Sequence, residues 1–303
     1  MRIKPMRPLQ VSWILILCLA VNSFAGFGES GWLIFRKAQS PRFKALSAAT
    51  AVNGDLSGIF YNPALTATNE KNEIFFLSEL GFADDSLMGL IFGYPLSNGG
   101  LAAGIINYDA GKMELNWIEG TELKSEEVSA QKDTMGIISY ALNMRKNIQA
   151  GLNIKIASSE IAERQKASAW AGDLGILCSP FTGLSLSAAL NNIGTAGKFI
   201  NKKEALPGGA YYGAAYSIGS EKKRLVIAAG ADYNLQDKEA VSEIGAEFVL
   251  HSISFNAGYK MNVEQENLHL GLGISYKSFS LALAYIPGVY LNSVQCLSVG
   301  YKF

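Results

Sequence analysis

The chain has 303 residues, 26 basic and 26 acidic side chains, no net charge, and 49% hydrophobic and 11% aromatic residues. This balance leaves no basic face for nucleic acid and no acidic tail. The length suits one large domain or two small ones, and what distinguishes the apolar residues is that they alternate along the chain instead of clustering.

The first segment reads as a targeting signal. Arg2, Lys4 and Arg7 precede a short apolar run from Val11 to Val21, and Ser23-Phe24-Ala25 supplies small residues at a cleavage position. Residues 1–25 are therefore expected to be a secretory signal cut after Ala25. The run is too short to span a bilayer comfortably. No later run reaches the roughly 18 apolar residues a transmembrane helix needs. Cys18 leaves with the signal, and Cys178 and Cys296 lie in apolar strands, where two thiols packed as small hydrophobes are favoured over a bridge.

Residues 26–72 carry no period of two. Phe43 to Val52, rich in Ala and Ser, predicts a short helix, followed by the turn signal Asn53-Gly54-Asp55. Asn62-Pro63-Ala64 reads as a tight turn in which Asn caps backbone groups and Pro fixes φ. Its functional reading is the hinge of a hatch. The segment as a whole is expected to plug a lumen, to lie beneath one, or to form an ordered periplasmic leader.

From residue 73 onward the chain becomes a series of alternating segments. Leu268, Leu270, Leu272, Ile274 and Tyr276 alternate with His269, Gly271, Gly273 and Ser275; Phe279, Leu281, Leu283 and Tyr285 alternate with Ser and Ala. Strand side chains point to opposite faces with period two, so each segment has one apolar face and one small or polar face. A soluble sandwich would carry many Lys, Glu and Thr on its outer face. Here the second face is Gly, Ala and Ser with sparse charges: Lys155, Asp173, Asp232, Glu243, Glu247, Lys260 and Lys302. A charge on the apolar face would cost roughly 2–4 kcal/mol at a bilayer midplane. The predicted fold is an all-β transmembrane antiparallel up-and-down barrel over 73–303, with a short N-terminal plug or hatch segment. Asp173, Asp232, Glu243, Glu247 and Lys260 are candidates to line its lumen. They are expected either to line a channel or to pair with each other or with the hatch. Segments near 101–108 and 134–142 are apolar on both faces and do not discriminate between folds.

About fourteen segments are expected, near 73–82, 86–95, 99–108, 131–143, 147–158, 168–179, 183–192, 208–218, 224–234, 240–250, 253–261, 267–276, 278–286 and 293–303. Counted back from a periplasmic Phe303, the turns at 277, 251–252, 219–223, 180–182, 144–146 and 96–98 are short. The alternate connections at 193–207, 159–167 and 109–130 are long and charged, as bacterial barrels require. Within lipid an open sheet edge leaves backbone groups unpaired, so the first and last strands must pair. The last strand, Leu297, Val299, Tyr301 and Phe303, alternates to an aromatic terminal residue. Val299, Tyr301 and Phe303 are read as the signal for the barrel-assembly machinery.

Two runs resemble a known family. Pro41-Arg42-Phe43-Lys44-Ala45 followed by Asp55 and Ile59-Phe60-Tyr61-Asn62-Pro63-Ala64-Leu65 looks like the start of PorV/PorQ family proteins, relatives of the FadL fatty-acid transporters. Gly99-Gly100-Leu101 through Asn107-Tyr108-Asp109-Ala110-Gly111-Lys112-Met113 looks like that family's third strand. The sequence departs from the pattern at Ala48-Ala49, where a glycine pair is usual, and at Leu65, which follows Ala64 without an intervening Gly. The resemblance implies a fourteen-stranded barrel with a hatch inside it. It implies passage of small hydrophobic compounds across the outer membrane, or service to type IX secretion by binding exported cargo proteins. The partners expected are outer-membrane lipids, the barrel-assembly machinery, a hydrophobic ligand in the lumen, and secretion-system proteins on the second reading. The residues offer no Gly-x-Ser-x-Gly elbow, no zinc spacing and no phosphate loop, so neither an enzyme nor a cofactor is expected.

Overall fold

A computed structural model describes residues 32–37, 40–47, 51–52, 55–199, 203–263, 265–290 and 292–303. The expected signal over residues 1–25 lies outside the described residues. Fourteen strands form a closed antiparallel barrel in the order β1-β16-β15-β14-β13-β12-β11-β10-β9-β8-β7-β6-β3-β2. The strands are β1 (Glu73–Leu80), β2 (Ser86–Leu96), β3 (Gly99–Asp109), β6 (Gln131–Arg145), β7 (Ile148–Ile161), β8 (Gln165–Phe181), β9 (Leu184–Ala196) and β10 (Gly209–Ser220). They continue as β11 (Lys223–Asn234), β12 (Glu239–Leu250), β13 (Ile253–Met261), β14 (Leu268–Tyr276), β15 (Phe279–Ile286) and β16 (Val294–Lys302). Closure runs through β1 and β16, registered from Glu73↔Lys302 to Leu80↔Gln295. No backbone edge is left for lipid to face.

The two ends of the barrel differ. One carries only the tight turns at 97–98, 146–147, 182–183, 221–222, 251–252 and 277–278. His251 and Lys277 adopt positive φ there, at 57° and 54°. The other end carries the longer connections, including 81–85, 197–208 and 262–267. One of these holds an unexpected element. Residues 109–130, expected as one long charged connection, contain a two-stranded hairpin of β4 (Lys112–Glu119) and β5 (Glu122–Ser129). Both of its faces are largely exposed, so no apolar face announces it in the sequence.

The outer face of the barrel is a belt of exposed apolar side chains. Phe76, Leu90, Phe92, Ile138, Ile154, Ile156, Trp170, Leu174, Leu272 and Leu283 all belong to it. Such a continuous surface exceeds what a soluble monomer exposes and suits hydrocarbon. Val299, Tyr301 and Phe303 face outward as part of it, with Phe279 4.7 Å from Tyr301 and Tyr301 stacked 5.9 Å from Phe303 by ring centroids. The terminal Phe303 N–H donates to the carbonyl of Asn72, tying the last residue to the start of β1.

Inside the barrel sits the N-terminal segment. It comprises α1 (Ile34–Lys37), α2 (Pro41–Leu46), and the 3-10 turns η1 (Leu56–Phe60) and η2 (Pro63–Thr68). The expected helix over 43–52 is instead α2, which begins two residues earlier. Ser40 caps it by accepting from the Phe43 N–H, and Pro41 takes the first turn, where a missing N–H costs nothing. Its last residue is Leu46, and Ser47 closes it at φ 57°. Asp55 caps η1 through the Ser57 N–H and Asn62 caps η2 through the Ala64 N–H.

Candidate functional site

The lumen is filled by this plug, whose seat can be read from the residues that touch it. Trp32 packs against Phe199 of the 197–208 loop, with ring centroids 5.6 Å apart. At the other end of the segment, Thr66 Oγ1 and Ser139 Oγ of β6 lie 2.7 Å apart. The plug therefore descends from the long-loop end and joins β1 at the tight-turn end. It rests on apolar wall residues: Trp32, Phe35, Ile59 and Phe60 share one buried cluster with Ile91, Ile106, Met135 and Ile137. That contact is why β3 and β6 are apolar on both faces, one turned to lipid and the other to the plug.

Glycines let plug backbone lie directly on the wall. A Cβ on Gly151 of β7 would stand 2.5 Å from the carbonyl carbon of Pro63. Across the lumen, a Cβ on Gly245 of β12 would stand 1.9 Å from the carbonyl oxygen of Leu46. Side chains at either place would need the plug to move.

Polar groups then fix the seat. Four cations of the plug meet four carboxylates of the wall. Arg36 pairs with Asp232 of β11 and Lys37 with Asp85 of the β1–β2 connection. Arg42 makes a two-pronged bond to Glu247 of β12, at 2.6 and 2.8 Å. Lys44 Nζ lies 2.6 Å from Glu79 of β1, which also accepts from the Cys296 thiol at 3.3 Å. Burial alone would depress the basicity of Arg42, but the Glu247 carboxylate more than offsets it and the group is held above its ordinary range. Lys44 behaves alike: desolvation lowers it, Glu79 raises it further, and the ammonium is kept charged. Arg36 is raised in the same way by Asp232 and then Tyr211.

A second set of contacts holds the middle of the plug. Residues 191 and 192 form a bulge of β9, where two residues oppose Asp173 of β8. Asn192 takes φ 61° there, and both asparagines turn inward. Asn191 Nδ2 donates to the carbonyls of Phe60 (3.3 Å) and Tyr61 (2.8 Å). Asn192 Nδ2 donates to the carbonyls of Phe35 and Pro207. Asn153 Nδ2 donates to the carbonyl of Ile59 at 2.7 Å and to Asp173 at 2.6 Å. Beneath them lies the fully buried pair Lys155–Asp173, at 2.7 Å.

All five charged residues expected in the lumen are turned inward, and the structure assigns each a partner. Asp232 and Glu247 meet the plug, Asp173 meets Lys155, and Glu243 meets Lys260 at 3.5 Å. Asn62, Pro63 and Ala64 form a capped turn, and Asn62 Nδ2 also donates to the carbonyl of Ile176 in β8 at 3.1 Å. The residues that sequence reasoning passed over are the plug cations Arg36, Lys37, Arg42 and Lys44, together with Glu79, Asn191 and Asn192. The signal available for them was charge complementarity between a basic leader and an acidic inner face. Cys178 and Cys296 are both free thiols.

Two cavities lie at opposite ends of the barrel. One of about 400 Å³ lies at the long-loop end beside Asn192, Ile193, Leu206 and Leu235. The other, about 330 Å³, is lined at the tight-turn end by Arg42, Asp55, Arg224, Glu247, Ser254 and Lys302. Of the two, the second touches the plug, at Arg42, Asp55 and Thr68.

The architecture is similar to that of solved barrels. It matches the toluene transporter TodX of Pseudomonas putida over 88% of this chain and 98% of that one, at 13% identity and a TM-score of 0.62. It matches CymD, a monoaromatic hydrocarbon channel, over 87% and 97%, at 12% identity and a TM-score of 0.57. A FadL homologue of Pseudomonas aeruginosa matches over 88% and 98%, at 11% identity and a TM-score of 0.54. No protein-family model matches the chain, and no curated protein matches it. At these identities the likeness is one of fold, a closed antiparallel barrel as the sequence resemblance implied. None of these three bears on the PorV/PorQ family itself.

Proposed function

We propose that the protein is an outer-membrane channel for small hydrophobic compounds, gated by the segment from Trp32 to Asn72. The observation that carries this reading is the origin of the lumen filling. The wall residues of the barrel do not fill it. A separate segment does, joined covalently to the wall only at Glu73 and otherwise held by ion pairs, side-chain hydrogen bonds to its carbonyls, and apolar contact. Each of these can be exchanged for water or solute without unfolding the barrel. Support also comes from the fold shared with TodX, a toluene transporter, and CymD, a monoaromatic hydrocarbon channel.

On this reading the tight-turn end faces the periplasm and the long loops face outward. The signal over residues 1–25 exports the chain, and the outward Val299, Tyr301 and Phe303 serve assembly. The runs Pro41 to Ala45, Ile59 to Leu65 and Gly99 to Met113 are the features we read as PorV/PorQ-like. The secretion role attached to that family gains no support from TodX, a transporter, or CymD, a channel.

Uptake of the neutral probe N-phenyl-1-naphthylamine across lipopolysaccharide-containing vesicles tests the channel. The protein should raise the rate over empty vesicles. The double substitution Arg42→Ala and Lys44→Ala, which removes two anchors of α2, should raise it severalfold further. Rates equal to those of empty vesicles for both proteins would refute the channel.

A further inference from the structure

We propose that the solutes this channel favours are amphipathic organic cations, an apolar body bearing an ammonium group, and that Lys37 occupies their recognition site in the closed state. The inference deepens the channel reading and rests on it. Its starting point is the surroundings of the Lys37 ammonium. Nζ pairs with the buried Asp85 carboxylate and stands 4.7 Å from the centroid of the Tyr108 ring and 5.6 Å from that of Phe82. A carboxylate and two ring faces around one ammonium form a recognition site for cations, because the ring quadrupole and the carboxylate attract the same charge. The Asp85 carboxylate also lies directly over Gly81: a Cβ there would stand 2.0 Å from Oδ1. The site is thus built into the wall at the long-loop end, where a solute would enter.

The rest of the wall points the same way. Among the described ion pairs, Glu79, Asp85 and Asp232 pair with plug cations and with no cation of the wall, while Glu247 is shared by Arg42 of the plug and Arg224 of the wall. Displacing the plug removes Arg36, Lys37, Arg42 and Lys44 and leaves these carboxylates facing the passage. They run from the connection at Asp85, through Glu79 and Asp232, to Glu247 near the tight-turn end. A lumen so lined repels carboxylates and other anions and concentrates cations. Apolar wall residues beside Tyr108, including Leu87 and Ile106, would take the body of the solute.

Calorimetric binding of benzylammonium, benzyl alcohol and benzoate to the full chain in detergent tests this. In the wild type Lys37 fills the site, so benzylammonium should bind weakly. Lys37→Ala should bind it at least tenfold more tightly, with benzyl alcohol and benzoate unchanged. Adding Asp85→Asn to Lys37→Ala should abolish the gain. Lys37→Met serves as the second variant should the alanine protein not fold, as judged by heat-modifiable migration. No gain in either variant, an equal gain for benzoate, or a gain that survives Asp85→Asn would overturn the site. Naphthylamine uptake that persists alongside such a result would leave the channel standing, whereas loss of that uptake refutes the channel and not the binding site.

Discussion

Lys155 and Asp173 are fully buried 2.7 Å apart, and each has further partners: Asn192 accepts from Lys155, and Asn153 and the Asn192 N–H donate to Asp173. A buried pair of this kind is costly to break from one side, because the remaining charge has no water. Lys155→Met should therefore destabilise the barrel by about 3–5 kcal/mol, read by urea unfolding in detergent micelles. Adding Asp173→Leu should recover a large part of the loss; an unfolding midpoint unchanged by Lys155→Met would contradict this role for the pair. Asp173, Asp232, Glu243, Glu247 and Lys260 could be placed inward from the period of their strands. Their partners could not. Arg42 is 205 residues from Glu247 and Arg36 is 196 from Asp232, and the plug has no period that would turn those side chains toward any face.

The strands were the most legible elements, since lipid on one side and a plug on the other impose strict alternation. Where the alternation slips, the reading stops. The expected segment 183–192 ends at the bulge of Asn191 and Asn192, whereas β9 continues to Ala196. The β4–β5 hairpin was missed for the opposite reason, exposure on both faces. The plug elements are short and held by caps; the Asn62 cap was legible, but the helix expected from Phe43 starts at Pro41 under a Ser40 cap, and the docking of these elements is not legible. That docking depends on glycines which in sequence look like any other small inward residue. Gly245→Val places a side chain where the Leu46 carbonyl now lies, an overpacking that typically costs about 1–3 kcal/mol. The variant should keep heat-modifiable migration, because the β11–β12–β13 ladder is untouched. It should also become sensitive to limited proteolysis within residues 40–72. Protection equal to wild type would show that α2 does not rest there.

At the scale of the molecule, closure of β1 on β16 follows from one requirement, that no backbone group meet lipid unpaired, and the even number of strands brings both ends of the barrel chain to the tight-turn end. On the proposed channel reading the plug adds a second requirement, that the lumen be filled by something able to leave it. Its two kinds of contact divide the work: apolar packing on β3 and β6, and charge pairing on β1, β11 and β12. The central claim is that solute passes only when the plug moves. Thr66 Oγ1 and Ser139 Oγ, 2.7 Å apart, mark where a reversible tether can be placed. In a background with Cys178 and Cys296 changed to Ala, Thr66→Cys and Ser139→Cys should form a disulfide between η2 and β6. Naphthylamine uptake through the oxidised protein should fall to the rate of empty vesicles and return on reduction. Equal uptake by the oxidised and reduced protein, with the disulfide verified by mass spectrometry, would contradict a plug that must move.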